Sequence, residues 1–405
     1  MKGPILSTPK PHFIWGKPTS SQKEKVQNYI GSDSDMSIYG DDGIYALVES
    51  KLLEYYGVEY CVLTNTGTSS LNSGYFGIGI NQGDEVIVPT YTFLATVTPL
   101  LRLGAKIIFC DVDAKTGNIC PVSLKKLVTP KTKAIAVTHM WGIPCDMDNI
   151  MPIIEQNGLL LLEDCSHAHF TMCKGKLTGT FGNVACFSTG ARKTMTCGEG
   201  GFLLTDNPEV YVRATLLGHF EKRSKSAIER IYQQGHFKIV EKYQGFTTGF
   251  GENYRMHPYA ATMLYALLEN HEIINMIKKR AESLYYFISC LKQIDNVSVD
   301  GYEGDYFTGA MYGLKPQFKV SLELMPQIIN ELKNRNLEVK LPDTKTLHDL
   351  PVFKDFNQGQ TFNGALKYLE GRVSIPTFSN GLEKDRDLIE QYCEIIDYTL
   401  KSVNR

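Results

Sequence analysis

Short apolar segments alternate with helical segments over the first half of this chain, and this alternation constrains its fold more than any other feature. The apolar segments occupy residues 60–63, 85–88, 106–110, 134–138 and 159–162. Strands that are almost continuously apolar are typical of a parallel sheet covered by helices on both faces. The sequence therefore predicts an α/β fold with a mainly parallel sheet.

Several residues whose side chains could take part in binding or catalysis come directly after predicted strands. They are Thr68, Phe93, His139, Asp164 and Ser188. In open α/β sheets, ligands bind at the carboxyl ends of the strands, so residues at these positions are expected to meet at one edge of the sheet. This coincidence predicts a functional site there.

The stretch FSTGARKTMTCGEGGFLLT, residues 187–205, lies between two apolar runs. It carries a hydroxyl at Ser188, cations at Arg192 and Lys193, and a glycine-rich turn at residues 198–201. A lysine in such a loop could form a Schiff base with an electrophilic carbonyl, while the glycines let the backbone approach a bulky ring. The alternative is a solvated lysine on a surface loop with ordinary turn glycines.

A second glycine-containing turn, NTGTSS at residues 65–70, connects a predicted strand to a predicted helix at residues 71–80. This arrangement presents backbone N–H groups and a helix N-terminus to an anion, which suits a phosphate. The alternative is a simple N-cap by Thr66 or Thr68.

Together these parts fit a pyridine aldehyde phosphate. Gly67, Thr68 and Ser188 would bind its phosphate, and Phe93 would support its ring, although a phenylalanine there could equally belong to the core. A carboxylate at Asp164 would keep the ring nitrogen protonated, whereas the alternative for such a residue is a cap or a turn. Lys193 would form the covalent link and then carry protons.

The chain has 405 residues, which exceeds what one core usually supports, so two domains are expected, and they could be interleaved. We predict an N-terminal arm at residues 1–35, a large cofactor-binding domain at 36–265 and a small domain at 266–405. Sequence patterns also predict a short helix near residues 20–30, a long helical stretch at 258–291, and strands at 297–300, 312–314 and 337–339 of the small domain. A net charge of -2 without long runs of like charge argues against general nucleic-acid binding.

The ten cysteines are scattered without a CxxC pair, which favours reduced core residues over disulfides or a zinc site. We therefore expect no metal. The N-terminus lacks an apolar signal core, and no apolar run would span a bilayer. The sequence predicts a cytoplasmic protein without a membrane segment.

Six segments make the chain resemble the DegT/DnrJ/EryC1/StrS family of sugar aminotransferases, which depend on pyridoxal 5'-phosphate (PLP). The segments are TGTSSL (66–71), GDEVIVPTYTFLATV (83–97), EDCSHAH (163–169), GTFGNVACFS (179–188), KTMTCGEGG (193–201) and GENYRM (251–256). The resemblance implies the aspartate-aminotransferase-like fold type I of PLP enzymes. This fold has a mainly parallel seven-stranded sheet in the large domain and a smaller α/β C-terminal domain.

The resemblance also implies residue roles. Lys193 is the Schiff-base lysine, Asp164 pairs with the pyridine nitrogen, and Phe93 stacks on the ring. Asn253 looks like the residue that a second subunit supplies to the phosphate, which implies a homodimer with shared active sites; its alternative role is a helix N-cap. Gly67, Thr68 and Ser188 match the family's phosphate-binding positions.

Three departures from the family pattern bear on the acceptor more than on the cofactor. Residues 221–245 look longer and more basic than is typical of the family. His167 stands where the family usually has a glutamine near the cofactor's phenolic oxygen, and its charge could vary with pH. A histidine satisfied by core partners is the alternative. Trp141 displaces a usual tyrosine after His139.

The presence of Lys193 favours transamination over dehydration, because the family's dehydratases have histidine there. The implied reaction moves an amino group from glutamate or glutamine to a keto sugar or keto cyclitol. The donor carboxylate needs a cation or a backbone donor, and Arg192, Arg255 and the basic stretch 221–230 are open candidates for the cation. The alternatives are elimination, decarboxylation or C–C bond chemistry with the same cofactor, and a non-catalytic cofactor-binding protein. A dinucleotide-dependent dehydrogenase is disfavoured, because no GxGxxG follows the early strands.

Overall fold

The structure is a computed structural model, and it describes residues 3–6, 17–32, 34–37, 39–302, 312–357 and 359–403. Within these ranges there are fourteen α-helices: α1 (Ser20–Ile30), α2 (Gly43–Tyr56), α3 (Gly67–Gly77), α4 (Thr98–Arg102), α5 (Pro121–Leu127), α6 (Met147–Asn157), α7 (Pro208–Gly218), α8 (Glu221–Gln233), α9 (Phe237–Tyr243), α10 (Pro258–Glu269), α11 (Glu272–Leu291), α12 (Met325–Asn334), α13 (Asn363–Leu369) and α14 (Leu382–Val403).

The same described ranges contain eleven strands: β1 (Tyr60–Thr64), β2 (Glu85–Pro89), β3 (Lys106–Cys110), β4 (Thr132–Thr138), β5 (Leu160–Asp164), β6 (Met172–Cys173), β7 (Lys176–Leu177), β8 (Val184–Ser188), β9 (Gly201–Thr205), β10 (Val297–Ser298) and β11 (Gln317–Phe318). Short 3₁₀ segments lie at Leu94–Thr96, Met140–Gly142, Gln244–Phe246, Leu322–Leu324, Leu347–Asp349 and Pro351–Phe356.

Seven strands form the main sheet in the order β1-β9-β8-β5-β4-β2-β3. Strand β9 is antiparallel to both of its neighbours, and the remaining pairs in the sheet are parallel. Six strands therefore end at the same edge. The predicted mainly parallel, seven-stranded sheet is confirmed.

Both faces of the sheet are buried, as the apolar strands predict. Ile87, Ile135 and Leu161 point to the face that packs with α5 and α6. Their neighbours Val86 and Leu162 point to the opposite face, toward residues of α3 and α7. Because side chains alternate along a strand, a strand apolar at every position can serve two helical layers at once.

The C-terminal part has its own apolar cluster, in which α11, α12 and α14 pack around Phe287, Leu332 and Ile396. The small sheet β10–β11 belongs to this part. The segment that contains Phe353 and Phe362 instead packs on the main core, where both rings contact Phe109 edge to face. The predicted boundaries at residues 35 and 265 stay predictions. Residues 7–16 of the predicted arm lie outside the described residues, and α10 runs across residue 265.

Predicted helices agree well with the structure. The helix predicted near residues 20–30 is α1. The long helical stretch predicted at 258–291 divides into α10 and α11 at His271, whose φ is 54°. The helix predicted at 71–80 begins four residues earlier, at Gly67, because Thr66 caps it.

Two of the strand predictions for the C-terminal part are wrong. Residues 312–314 and 337–339 are partly buried but form no strands. The structure has only isolated bridges in or next to them, between Leu314 and Ile375 and between Lys340 and Ser374. Burial in the C-terminal cluster explains their apolar character without a ladder of strand hydrogen bonds. Among the described residues, no helix has the length and apolar character needed to cross a bilayer.

Candidate active site

A cavity of about 850 Å³ opens at the carboxyl edge of the main sheet. One wall comes from the sheet and its loops, and the other from C-terminal residues between Tyr312 and Thr377. Seven of the eight predicted site residues line it: Gly67, Thr68, Phe93, Asp164, His167, Ser188 and Lys193. The expectation that side chains after the strands meet at one edge is therefore met for Thr68, Phe93, Asp164 and Ser188, but not for His139, which does not line the cavity.

The turn after β1 forms one end of the cavity. Thr66 is the N-cap of α3, and its Oγ1 accepts a hydrogen bond of 3.0 Å from the amide of Ser69. The amides of Gly67 and Thr68 stand at the helix N-terminus, where orphan donors and the helix dipole favour an anion. The cap thus uses Thr66, which leaves the amides of Gly67 and Thr68 for a possible anion.

Gly67 is required by the close approach of the serine after β8. A Cβ at position 67 would lie 2.4 Å from Cβ and 3.0 Å from Oγ of Ser188. The absence of a side chain therefore brings two backbone amides and one hydroxyl together. This is the donor set that a phosphate group needs.

We expect Gly67→Ala to weaken phosphate-group binding by at least about tenfold and to destabilise the fold by roughly 1–3 kcal/mol, because the added methyl group must displace Ser188. Thermal unfolding and titration with PLP measure the two effects. Gly245→Ala is a matched control, since a Cβ there meets nothing within 4 Å. Equal affinity in both variants would contradict the cradle.

Asp164 ends β5 and is buried at the floor of the cavity. Its Oδ2 accepts a 2.7 Å hydrogen bond from Thr96 Oγ1, and its Oδ1 accepts one of 3.0 Å from the amide of Ser166. Thr92 Oγ1 continues the chain of hydroxyls at 3.0 Å from Thr96 and 2.9 Å from Thr138. The carboxylate is thus fixed in orientation by groups that the sequence interpretation did not identify.

Lys193 extends from the loop after β8 into the same cavity. Its Nζ lies 4.5 Å from the centroid of the Tyr312 ring. Burial lowers the pKa of Lys193 to about 8, while the negative charge of Asp164 opposes this shift. Near neutral pH the side chain therefore exists in both its ammonium and its amine form, as a nucleophile and proton carrier requires.

His167 lies in a stack of three rings. Its ring is 4.0 Å from that of Tyr312 and 5.4 Å from that of Trp141, both nearly parallel to it. Burial, with the charges of Lys193 and Lys315 nearby, holds the pKa of His167 well below its usual range. The expectation that its charge varies with pH is therefore wrong for the ordinary pH range.

The tautomer of His167 follows from its contact with the backbone. Nδ1 accepts a 3.4 Å hydrogen bond from the amide of Trp141. A neutral imidazole that accepts at Nδ1 carries its proton on Nε2. His167 can therefore donate from Nε2, the role in which the family's glutamine would serve.

Phe93 and Asn253 differ in their placement. The Phe93 side chain is 57% exposed although it lines the cavity, so its ring face is open to a ligand. Asn253 lies outside the cavity of its own chain. It is exposed, and its Oδ1 accepts a 3.5 Å hydrogen bond from the amide of Arg255. Asn253 does not cap a helix, because α10 is capped by His257.

A second group of potential ligands lies beneath the cavity. Atoms of His139, Glu163 and Cys165 lie within 4.8 Å of one another, and all three residues are buried. The Glu163 carboxylate accepts hydrogen bonds from the amides of residues 179, 181 and 182 and lies 3.1 Å from His139 Nε2. These contacts identify Glu163 as the residue that fixes the loop before β8.

Sequence reasoning missed the residues that the C-terminal part contributes, notably Tyr312 and Lys315. No local pattern indicated them. Thr96 could have been found, because it falls within the segment 83–97 that also carries Phe93.

The chain is similar to known proteins over most of its length. The model of the DegT/DnrJ/EryC1/StrS aminotransferase family matches residues 33–391. The GDP-perosamine synthase of Escherichia coli O157:H7 is 30% identical over 341 residues, which cover 84% of this chain and 86% of that protein. The L-glutamine:2-deoxy-scyllo-inosose aminotransferase of Streptomyces kanamyceticus is 28% identical over 284 residues, 68% of this chain and 64% of that protein.

Among solved structures, the aminotransferase from Psychrobacter cryohalolentis matches with a TM-score of 0.83 and 24% sequence identity. The match covers 98% of this chain and 100% of that chain. A likeness of this extent shows a shared fold. The fold class predicted from the resemblance is therefore confirmed.

Proposed function

The chain belongs to the DegT/DnrJ/EryC1/StrS aminotransferase family, whose members are PLP-dependent, and we propose that it moves an amino group from glutamate or glutamine to a ketone. The acceptor is a keto sugar, commonly nucleotide-linked, or a keto cyclitol used for a secondary metabolite or a glycan. The names of the two relatives described above support this acceptor class. One observation carries the proposal: Lys193, Asp164 and the Gly67–Ser188 cradle line a single cavity.

The donor set of the cavity suits PLP. The amides of Gly67 and Thr68 with the hydroxyl of Ser188 fit the phosphate, because the missing Cβ at position 67 leaves room for close approach. Phe93 offers an exposed ring face, and His167 offers an N–H donor. When bound, PLP supplies an aldehyde that reacts with amines and a ring that withdraws electrons from the attached carbon.

The chain's own residues orient and move protons around that chemistry. Asp164 would hold a negative charge beside the ring nitrogen of bound PLP. The Thr96 hydroxyl, which donates to Asp164 Oδ2 at 2.7 Å, keeps that carboxylate oriented. Lys193 Nζ takes a proton from the substrate carbon and returns one, since its pKa of about 8 lets it do both near neutral pH. Nε2 of His167 donates to an oxygen at the cavity wall.

We further propose a homodimer in which Asn253 of each subunit reaches the phosphate site of the other. Its exposed position outside its own cavity supports this role. Sedimentation equilibrium that gives a monomer for the active protein would contradict it.

The function is tested by following the visible absorbance of the purified protein. Glutamate or glutamine should remove the PLP band in a single turnover, and a keto sugar or keto cyclitol should restore it. Mass spectrometry should then find the acceptor skeleton with oxygen replaced by NH2. A product that has lost water, CO2 or carbon atoms would favour the alternative chemistry instead.

Uptake of PLP by the apoprotein should accelerate as the pH rises from about 7 to about 9, with a midpoint near 8, because only the neutral amine of Lys193 attacks an aldehyde. The pKa of Lys193 is lowered from 10.5, so the amine form becomes available well below the pH of an ordinary lysine. Stopped-flow absorbance measures the rate. A rate that is flat across this range, or a midpoint near 10.5, would contradict the assignment.

A further inference from the structure

Lys315 is a second lysine of the same cavity and, unlike the half-buried Lys193, it is buried; the role of its charge is not explained by the fold. The residue is 7% exposed, and its Nζ lies 3.9 Å from the centroid of the Trp141 ring. In the described part of the chain it makes no ion pair and no hydrogen bond through Nζ. Burial lowers the pKa of Lys315 to about 7, with the charge of Lys340 acting in the same direction and Asp343 opposing it. Buried lysines are rare unless an anion accompanies them.

The backbone of Lys315 is held at both of its polar groups. Its amide donates to Tyr302 Oη at 3.2 Å, and its carbonyl accepts from Arg372 Nη1 at 2.7 Å. Arg372 is itself buried and donates to the carbonyl of Tyr368 at 2.9 Å. Because these contacts hold the backbone of Lys315 in place, its side chain is directed into the cavity. Support of this kind by neighbouring residues is typical of binding residues.

The cations proposed from the sequence are mostly engaged elsewhere in this chain. Arg255 stacks 4.3 Å from the ring of Tyr39, outside the cavity. In the basic stretch, Arg223 pairs with Glu49 at 2.7 Å and is buried there.

Lys222 of the same stretch pairs with Asp42 at 2.6 Å. Arg192 does line the cavity, but it lies exposed at the rim. Within the described chain, Lys315 is thus the cation that combines burial, a cavity position and an unpaired ammonium group.

The position of Lys315 relative to Lys193 indicates which anion its ammonium group binds. The rings of Trp141 and Tyr312 are 6.0 Å apart and nearly parallel; Lys315 Nζ lies beside the first and Lys193 Nζ beside the second. The carboxylate of an amino acid is bonded to the carbon that bears its reacting amine. The cation that binds it must therefore lie near the reactive lysine, and Lys315 lines the same cavity as Lys193.

We propose that Lys315 binds the carboxylate of the amino donor and so determines that the donor is an amino acid. The inference rests on the proposed function, since it assumes a donor half-reaction at Lys193. A diphosphate of a nucleotide-linked acceptor would offer the same anionic oxygens, and the test separates the two sources.

Lys315→Met keeps the length of the side chain and removes its charge, and Lys315→Arg restores the charge. We expect Lys315→Met to raise the apparent Kd for glutamate or glutamine roughly 10- to 100-fold in single-turnover absorbance measurements, with little change in the limiting rate. Lys315→Arg should recover part of this loss. Glutaminamide, which lacks the α-carboxylate, should react equally with the wild type and with Lys315→Met.

Lys340→Met is the matched control, because Lys340 lines the same cavity but is already paired with Asp343. It should change the apparent Kd by less than about threefold. Lys315→Gln provides a second neutral variant if Lys315→Met fails to fold, which retention of the PLP band would reveal.

Three outcomes would overturn the proposal. An unchanged apparent Kd for the donor in both neutral variants would remove Lys315 from substrate binding. A defect confined to the acceptor half-reaction would assign the lysine to a phosphate and not to the donor. Absence of any donor half-reaction in the wild type would instead refute the proposed function, and the Lys315 proposal would fall with it.

Discussion

Replacement of Lys193 by alanine should reduce turnover by at least about 10³-fold, because both the covalent attachment point and the proton carrier are lost. The side chain enters the cavity with its Nζ beside Tyr312, and burial lowers its pKa to about 8. Steady-state assays with glutamine and a ketone acceptor measure the loss. The visible PLP band should also shift, since free PLP replaces the covalently attached form.

Lys340→Ala is the control for this experiment, because it removes another lysine of the same cavity wall. It should retain activity within a few-fold of the wild type, roughly the effect of losing an exposed ion pair. If the Lys193 variant kept the wild-type absorbance and turnover, the assignment of the reactive lysine would be wrong.

Replacement of Asp164 by asparagine should lower kcat by roughly 10²- to 10³-fold, because the negative charge beside the ring nitrogen disappears while the shape is kept. The same change should lower the pKa of Lys193 below about 8, since the charge of Asp164 raises it. The pH dependence of PLP uptake should therefore move to lower pH. This second readout would not respond to a purely structural role of the carboxylate.

Thr96→Val is a milder change at the same carboxylate, for comparison with Asp164→Asn. It removes the 2.7 Å hydrogen bond to Asp164 but leaves the carboxylate charged. We expect kcat to fall about three- to tenfold. This is the effect of losing one hydrogen bond to a charged group when the carboxylate can partly reorient afterwards. An Asp164→Asn variant no more impaired than Thr96→Val would show that the charge itself is dispensable.

The main sheet and half of the site were predictable because local sequence determines them. Strands β2 to β5 are buried on both faces, so their apolar runs stand out without any knowledge of the fold. Parallel strands end at one edge, so residues that follow them meet there. This rule brought Thr68, Phe93, Asp164 and Ser188 together from sequence alone.

The opposite wall of the cavity was not predictable in this way. Tyr312 and Lys315 reach the site only through the packing of the C-terminal part, and nothing in their local sequence indicates a ligand. The apolar residues 337–339 resemble a strand, yet they are buried by contacts in the C-terminal cluster and not by strand pairing. Tertiary contacts decide both cases.

The charge state of His167 was also beyond the sequence. A histidine in the motif EDCSHAH suggests a group that titrates near neutral pH. Its burial against Trp141 and Tyr312, with two lysines nearby, instead keeps it neutral. Only the environment of the folded chain determines this property.

The most direct test of the central claim is to trap the PLP adduct with borohydride and to locate it by peptide mass spectrometry. The cavity is lined by two lysines with lowered pKa values, Lys193 and Lys315, so chemical reactivity alone does not decide between them. We expect the reduced adduct on Lys193. An adduct on Lys315, or no adduct in the cavity, would contradict it.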